Sequence, residues 1–174
     1  MPKLSIVVPC YNEEETIPLF YPAVEKVVKQ MPVDTEYWFV NDGSNDGTLA
    51  ELRKLHEQDP ERVHYVSFSR NFGKEAGLYA GLQAATGDYV VVMDADLQDP
   101  PEYLPEMYRA ISTGEYDCVG MRRTDRKGEA KFKSFLSNQF YNVINKISDT
   151  KIVSGARDYR MMTRQMVDAV LSLT

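Results

Sequence analysis

The chain has 174 residues, 43% of them hydrophobic, and a formal net charge of −6. This length and composition predict one compact domain with a substantial core, and its apolar runs are far shorter than a membrane span. The acidic balance argues against a general nucleic-acid binder, because contacts with the phosphate backbone require a basic face.

Short apolar runs alternate along the chain with segments of helical periodicity, which is the pattern of a layered α/β fold. Strands are predicted over residues 4–9, 37–41, 63–68, 88–93 and 116–121. Each of the first four is followed by a predicted helix. The first helix has an apolar stripe from Ile17 to Met31, and the others are predicted over 47–58, over 75–86 and after Pro101. The run Val90 to Val92 predicts a strand buried on both faces, as in the middle of a parallel sheet.

Two acids follow this fourth strand directly. Alternation along an extended segment would place Asp94 and Asp96 on one side, where parallel sheets bind ligands. Two carboxylates this close repel each other unless one is protonated or a cation lies between them. Mg²⁺ or Mn²⁺ suits such a pair, because these ions take one or two carboxylates and complete their shell with water and phosphate oxygens. Asp99 is predicted to cap the next helix, which leaves the first two acids without a structural task.

Polar loops follow the first two strands at the same predicted edge. In the first loop, Tyr11 offers a stacking ring, and Asn12 and Glu13 offer hydrogen bonds. A loop that only caps the next helix through Thr16 explains this segment equally well. In the second loop, Asp42 is placed to hold a ribose hydroxyl or a base N–H, as an acid does in dinucleotide folds.

The third loop places Arg70 and Lys74 around Gly73 at the start of a helix. This arrangement suits either an anionic phosphate or a solvated pair of basic residues. Gly77 and Gly81 follow within the helix, and their spacing predicts close packing against the sheet. The chain contains neither a dinucleotide fingerprint nor a P-loop motif.

Four ordered motifs cover much of the chain: SIVVPCYNEEETI, FVNDGSNDGT, RNFGKEAGL and VVVMDADLQDPPE. They resemble family 2 glycosyltransferases of the GT-A fold, and within them the branch that uses polyprenyl phosphates. The resemblance implies a Rossmann-like, mostly parallel sheet flanked by helices. By this resemblance Pro9, Tyr11, Glu13 and Asp42 would line the nucleotide-sugar pocket. Asp94 would contact the ribose or the metal, and Asp96 with Gln98 would complete the metal site. Lys74 of the third loop is added to the nucleotide-sugar pocket as a candidate phosphate ligand.

Residues 122–146 carry seven Lys or Arg against two acids, a local charge of +5 in an acidic protein. One interpretation is a solvated amphipathic helix, and the other is a surface attracted to anionic lipid and to a lipid-linked phosphate. We expect a mixture of both, with Arg122, Arg123 and Arg126 facing the anions.

The segment SGARDYRMMTR at 154–164 resembles the family segment in which a small-residue loop brings an acid near the sugar. By this resemblance Asp158 is the candidate catalytic carboxylate, and Arg160 is a candidate ligand of the acceptor phosphate. Arg157 and Tyr159 depart from the small residue and the Phe expected at their positions. A structural ion pair of Asp158 with Arg160 or Arg164 is the alternative interpretation.

Taken together, the resemblance implies inverting transfer of a hexose from a nucleotide-diphosphate sugar to a polyprenyl phosphate. Glucose is the expected hexose, and UDP is the expected nucleotide. Mg²⁺ or Mn²⁺ is the implied cofactor. The alternatives are a family 2 enzyme with a polysaccharide or other sugar acceptor, a magnesium-dependent phosphohydrolase, and a non-catalytic nucleotide-sugar-binding module.

The helical pattern at the end of the sequence has no Gly or Pro to close it before Thr174. Together with the resemblance, this predicts that residues 1–174 are a single catalytic domain followed by interfacial and transmembrane helices. We therefore expect a multi-pass protein, a candidate homo-oligomer, that works at the cytoplasmic face of a membrane. The two cysteines, Cys10 and Cys118, lack metal-type spacing and fit that reducing compartment.

Overall fold

The computed structural model describes residues 1–122 and 156–173. The strands of this part are β1 (Lys3–Cys10), β2 (Asp34–Asn41), β3 (Val63–Ser67), β4 (Tyr89–Val92), β5 (Cys118–Arg122) and β6 (Ala156–Thr163). Its α-helices are α1 (Ile17–Val28), α2 (Thr48–Gln58), α3 (Lys74–Ala84), α4 (Leu104–Ile111) and α5 (Arg164–Leu171), and a 3₁₀ turn (Pro101–Tyr103) precedes α4.

The strands form one sheet in the order β3-β2-β1-β4-β6-β5. β1 pairs in parallel with β2 and β4, and β2 pairs in parallel with β3. β6 runs antiparallel to β4, with Val92 opposite Arg160. The strand-helix alternation of the sequence therefore folds into a mostly parallel sheet, as predicted.

The middle of the sheet is apolar on both faces. Ile6, Val7 and Val8 of β1 and Val90 and Val91 of β4 are fully buried. α1 contacts α2 and α4, whereas α3 contacts β1, β2 and α5. Burial of successive residues requires cover on both faces, since neighbouring side chains of a strand point to opposite sides.

Close packing of α3 on the sheet depends on its glycines, as the sequence predicts. A Cβ atom built on Gly81 would lie 2.3 Å from Cγ1 of Val7, a distance that no real Cβ contact shows. At Gly77 the corresponding distance to the Pro9 side chain is 3.6 Å. The first turn of α3 is thereby fixed beside the carboxyl end of β1.

A buried polar cluster lies where the parallel strands begin, which we call the amino edge of the sheet; the side where these strands end is the carboxyl edge. Glu36 of β2 is only 3% exposed. Its carboxylate accepts hydrogen bonds from the Ser5 hydroxyl (2.6 Å) and the Thr86 backbone N–H (2.7 Å), and it pairs with the Lys3 ammonium (2.5 Å). Burial raises the pKa of Glu36, but the hydrogen bonds from Lys3, Ser5 and Thr86 outweigh it and lower that pKa to about 2.

One strand was not predicted from the sequence, and one prediction needs correction. Residues from Ala156 onward, which carry Asp158, form β6. Ser154 and Gly155 of the predicted small-residue loop lie outside the described residues. The antiparallel pairing of β6 with a buried strand overrides the weak local preference of Arg and Asp for a strand. Asp99 does not take the predicted N-cap position: the 3₁₀ turn begins at Pro101, its N-cap is Pro100, and no side chain caps it.

Residues Met1–Val119 and Asp158–Thr174 form one compact unit, and Gly120–Arg157 are assigned to a second. Most of the second unit lies outside the described residues, so the organisation as one catalytic domain stays a prediction. Within the described residues, no helix combines the length and the apolar character that crossing a bilayer requires.

Candidate active site

A cavity of about 320 Å³ opens at the carboxyl ends of the parallel strands. The strand order changes direction at β1, and ligands of open α/β sheets bind at such a switch point. The end of β1, the loops after the first four strands and the first residue of α3 line this cavity. The lining residues are Pro9, Cys10, Tyr11, Glu13, Asp42, Asn71, Gly73, Lys74, Asp94, Ala95 and Asp96.

All six residues predicted to bind the nucleotide sugar line this cavity, and so does Asp96. Their binding roles stay predictions. Gln98, predicted as a metal ligand, is not among the lining residues; its backbone N–H donates to Asp96 at 3.0 Å. Asn71 and Ala95 line the cavity but were not singled out from the sequence, although both lie inside the quoted motifs.

The loops after β1 and β2 hold each other in place. Asn12 has a φ of 56°, its backbone N–H donates to the Ser44 hydroxyl (2.9 Å), and its side-chain oxygen accepts from the Asn45 N–H (3.0 Å). The Glu13 N–H donates to the Thr48 hydroxyl at 2.8 Å. The polar residues of these loops therefore fix the cavity wall, which is more than capping of a single helix.

The β2 loop in turn fixes the loop that begins α3. Asp42 is 4% exposed, and its two carboxylate oxygens accept the backbone N–H groups of Phe72 (2.6 Å) and Gly73 (2.9 Å). Next to it, Gly43 has a φ of 64°, and a Cβ there would lie 2.2 Å from the Arg70 carbonyl carbon. Only glycine allows this close approach of the two backbones.

The acid pair after β4 lies partly in a turn and not on the extended segment that was predicted. The strand ends at Val92, the Met93 N–H still donates to the Val7 carbonyl, and the chain turns at Ala95 and Asp96, with Leu97 at a φ of 55°. Asp94 and Asp96 therefore do not alternate along an extended segment, yet both line the cavity. The Asp96 side chain is tied into the turn through the Gln98 N–H.

Strand β6 brings Asp158 next to the cavity, although Asp158 is not among the lining residues. Val92 is paired with Arg160 in antiparallel register. Continuing this register by two residues on each strand places Asp158 across from Asp94, beyond the end of β4. The acid predicted to be catalytic and the acid after β4 thus come together, although 63 positions separate them in the sequence.

The Lys74 ammonium joins these two acids. It lies 2.8 Å from Oδ1 and 2.9 Å from Oδ2 of Asp94, and 2.9 Å from Oδ2 of Asp158. The hydrogen bond from Lys74 lowers the pKa of Asp158, which remains a carboxylate at neutral pH. Burial lowers the pKa of Lys74, but the two acids outweigh it and raise that pKa above its ordinary value.

Arg160, the predicted acceptor-phosphate ligand, lies 3.7 Å from Oδ1 of Asp158. The alternative interpretation was an ion pair between Asp158 and an arginine. The contact with Arg160 is long, and the basic group at short distance from Asp158 is the Lys74 ammonium. Arg164 instead donates to the backbone carbonyls of Ala85 and Gly87.

The other predicted acceptor residues cannot be placed in this way. The backbone of Arg122 ends β5, but its side chain lies outside the described part of the structure. Arg123 and Arg126 lie outside the described residues altogether. Their predicted contacts with anions stay predictions.

The carboxylates of Asp94 and Asp96 fit a hard divalent cation that also coordinates the phosphates of a bound substrate. Among the described residues, no group of three or more His, Cys, Asp or Glu is placed to hold a metal ion by itself. Mg²⁺ and Mn²⁺ need only one or two carboxylates when substrate phosphates complete their shell, and Asp94 and Asp96 supply two. The contact of Asp94 with the Lys74 ammonium shows that this place already attracts positive charge.

Cys10 is the one thiol that lines the cavity among the described residues. Burial raises its pKa far above the ordinary value, and the carboxylates of Glu13 and Asp94 raise it further. A nucleophilic cysteine needs a thiolate. The cavity therefore does not provide a cysteine nucleophile at neutral pH.

Solved structures of similar fold bind nucleotide sugars. A mannosyltransferase from Pyrobaculum calidifontis in complex with GDP-Man and Mn²⁺ is 24% identical with a TM-score of 0.63, over 97% of this chain and 46% of that one. A glucosyl-3-phosphoglycerate synthase from Mycobacterium tuberculosis, with Mn²⁺, UDP-glucose and phosphoglyceric acid, is 22% identical with a TM-score of 0.61, over 95% of this chain and 57% of that one. At these identities the likeness shows the fold, which is GT-A as predicted.

Curated relatives are more similar in sequence. A bactoprenol glucosyl transferase of Shigella phage SfX is 42% identical over 168 residues, which are 97% of this chain and 54% of the relative. The putative glycosyltransferase CsbB of Bacillus subtilis is 42% identical over 171 residues, 98% of this chain and 51% of the relative. The chain thus spans about half the length of the curated relatives it matches.

The model of glycosyl transferase family 2 matches residues 5–171, which include every loop that lines the cavity. The predicted resemblance to the polyprenyl-phosphate branch agrees with the relatives named as bactoprenol glucosyl transferases. The chain therefore belongs to glycosyl transferase family 2.

Proposed function

We propose that this chain is the catalytic domain of a metal-dependent glucosyltransferase that transfers glucose from UDP-glucose to a polyprenyl phosphate with inversion at the anomeric carbon. The observation that carries the proposal is that Asp94, Asp96 and Lys74 line one cavity at the switch point of the sheet, with Asp158 held beside it by Lys74. Relatives named as bactoprenol glucosyl transferases support the sugar and the acceptor, and a neighbour solved with UDP-glucose and Mn²⁺ supports the donor and the cofactor.

The residues that line the cavity suit a nucleotide-sugar donor in their chemistry and charge. Tyr11 is 45% exposed and offers a ring for stacking on the base. Asp42 lines the cavity as well, and each of its oxygens keeps a lone pair for the donor beside the backbone N–H that it already accepts. Lys74 and the N-terminus of α3 supply positive potential for the diphosphate. A divalent cation held by Asp94 and Asp96, when bound, neutralises charge that develops on the leaving diphosphate.

The transfer itself is a substitution at the anomeric carbon. A phosphate oxygen of the acceptor forms the new bond to this carbon, the bond to the UDP oxygen breaks, and the electron pair leaves with UDP. The second pKa of a phosphate monoester is about 6, so the attacking oxygen is already deprotonated at neutral pH. Asp158 is therefore assigned to orienting the acceptor and balancing positive charge on the sugar ring, with Arg160 beside it to hold the acceptor phosphate.

The acceptor also defines the setting of the whole protein. A polyprenyl phosphate resides in a membrane, so the complete protein would work at a membrane surface, on the cytoplasmic side where nucleotide sugars are made. The basic segment 122–146 would face the anionic lipid. Longer relatives support our proposal that further segments accompany this domain.

Replacing Asp158 by Asn tests the catalytic assignment. We expect turnover with UDP-glucose and a short polyprenyl phosphate to fall on the order of 100-fold, while the Kd of UDP-glucose with Mn²⁺ changes less than about threefold. Asp168→Asn, the same change on the exposed surface of α5, is the matched control and should leave both values unchanged.

Donor titration calorimetry tests the other half of the proposal. UDP-glucose should bind with Mn²⁺ and lose its affinity when EDTA is added, and GDP-mannose should bind less tightly. Binding without transfer to any lipid acceptor would favour a binding module, and transfer only to a saccharide would favour the alternative acceptor class. Either result would contradict the proposed reaction.

A further inference from the structure

Lys74 occupies an unusual position for a cation. It is the first residue of α3, and the positive end of the helix dipole disfavours a positive side chain there. Its ammonium is nevertheless held by three short contacts, two with Asp94 and one with Asp158. The acids, and not the helix, therefore determine where this side chain lies.

The contacts of Asp94 create a competition. Both of its carboxylate oxygens contact Lys74, yet the same carboxylate is the proposed ligand of a divalent cation. A +2 ion and a +1 ammonium on one carboxylate repel each other over a few ångströms. Binding of the divalent cation at Asp94 therefore favours movement of the ammonium away from this acid.

A donor diphosphate offers the ammonium another partner. Lys74 lies at the N-terminus of α3 on the cavity wall, where anions are stabilised. Its side chain is 40% exposed and Asp158 is 49% exposed, so neither is locked in place by packing. A move of Lys74 towards the diphosphate would break its contact with Asp158 as well.

We propose, on the basis of the function proposed above, that Lys74 is a positioning residue that exchanges partners during the reaction. Without donor, its ammonium takes the place of the divalent cation and bridges Asp94 and Asp158. When cation and donor bind together, it pairs with the diphosphate, which frees Asp158 for the acceptor. Lys74 thereby disfavours binding of the cation alone and favours binding of the cation with the donor.

Two affinities measured on Lys74→Met should change in opposite directions. The first is the Kd of Mn²⁺ without nucleotide, read from the electron paramagnetic resonance signal of free Mn²⁺. Removal of the competing charge should tighten it about three- to tenfold, since a half-exposed charge acts through partial screening. The second is the Kd of UDP-glucose at saturating Mn²⁺, read by calorimetry, which should weaken about tenfold because a diphosphate contact is lost.

Three variants control for charge and folding. Lys74→Arg keeps the positive charge and should leave the Mn²⁺ affinity within about twofold of the original. Lys74→Gln is a second neutral variant and should behave like Lys74→Met. Lys54→Met removes a lysine that pairs with Glu51 on the exposed side of α2, and it should change neither affinity.

The outcomes separate this inference from the function on which it depends. If the original protein binds UDP-glucose with Mn²⁺ but neither neutral variant binds Mn²⁺ more tightly, partner exchange is wrong and the proposed function stands. If the original protein binds neither Mn²⁺ nor UDP-glucose, the proposed function fails and the inference fails with it. Tighter Mn²⁺ binding together with weaker donor binding in the neutral variants supports the exchange.

Discussion

The two edges of the sheet carry similar chemistry built in opposite ways. At the amino edge, Glu36 and Lys3 form an ion pair whose acid is 3% exposed and also bound by Ser5 and Thr86. At the carboxyl edge, Lys74 joins two acids that stay 36% and 49% exposed.

The difference in burial and in hydrogen bonding indicates which acids are available to bind a ligand. A buried carboxylate with several protein donors is part of the fold, because removal of its charge leaves those donors unpaired. A half-exposed carboxylate whose contacts are with exposed basic side chains can exchange them at little cost. On this basis Glu36 is structural, whereas Asp94 and Asp158 are available to a cation, a donor or an acceptor.

The largest expected effect is at the amino edge. Glu36→Gln should lower the free energy of unfolding by roughly 3 kcal/mol at pH 7, the value of a shift in pKa from 4.5 to about 2. Because the folded-state pKa is the lower one, this contribution is complete above pH 4.5 and is lost as pH falls towards 2. Urea unfolding from pH 7 to pH 2 should therefore show a flatter pH dependence for the variant.

Exposed Glu57 on α2 provides the matched control, since Glu57→Gln should change stability by less than about 0.5 kcal/mol. A loss at Glu36 no larger than at Glu57 would remove the contrast between the two edges.

A smaller loss of stability is expected at Gly43, where two backbone segments pack closely at the carboxyl edge. Gly43→Ala should cost about 2 kcal/mol of stability, because it combines strain at a φ of 64° with overlap against the backbone of Arg70. Gly114→Ala is the matched control: its φ is 78°, but a Cβ there meets nothing within 4 Å. Thermal unfolding of both variants separates strain from overlap, and equal losses would show that the close approach is unimportant.

The smallest stability effect is expected at the exposed ion pair. Asp158→Asn should change the free energy of unfolding by less than about 0.5 kcal/mol, since half-exposed pairs contribute little and are screened by salt. Chemical unfolding at low and high salt measures this directly. A loss comparable to that of Glu36→Gln would make Asp158 a structural residue.

Much of the fold follows from local pattern. The first four strands and the helices after them lie within a few residues of their predicted bounds, because buried apolar runs and helical periodicity are properties of short segments. The role of Gly77 and Gly81 in close packing was predicted for the same reason. The strand β6 could not be predicted in this way, since Ala156–Thr163 is stabilised by pairing with β4 and not by its own composition.

The candidate site was predicted in part. Pro9, Tyr11, Asp42 and Asp94 lie at or just after the carboxyl ends of parallel strands, so the parallel topology alone brings them to one edge. Asp94 and Asp96 both line the cavity, as their predicted common side implies, but a turn at Ala95 and Asp96 replaces the predicted extended segment. Gln98 was placed at the cavity by motif, but the turn directs its backbone to Asp96 and leaves it out of the lining.

The sequence by itself determined the order of strands and helices, the apolar centre of the sheet and the motifs that mark the family. These depend on neighbours a few positions apart, which one chain shows directly. Only the tertiary structure decided that Lys74, Asp94 and Asp158 meet, and that Asp42 holds the backbone of the α3 loop. Such contacts join residues tens of positions apart, and the register of β6 on β4 and the packing of α3 on the sheet set their distances.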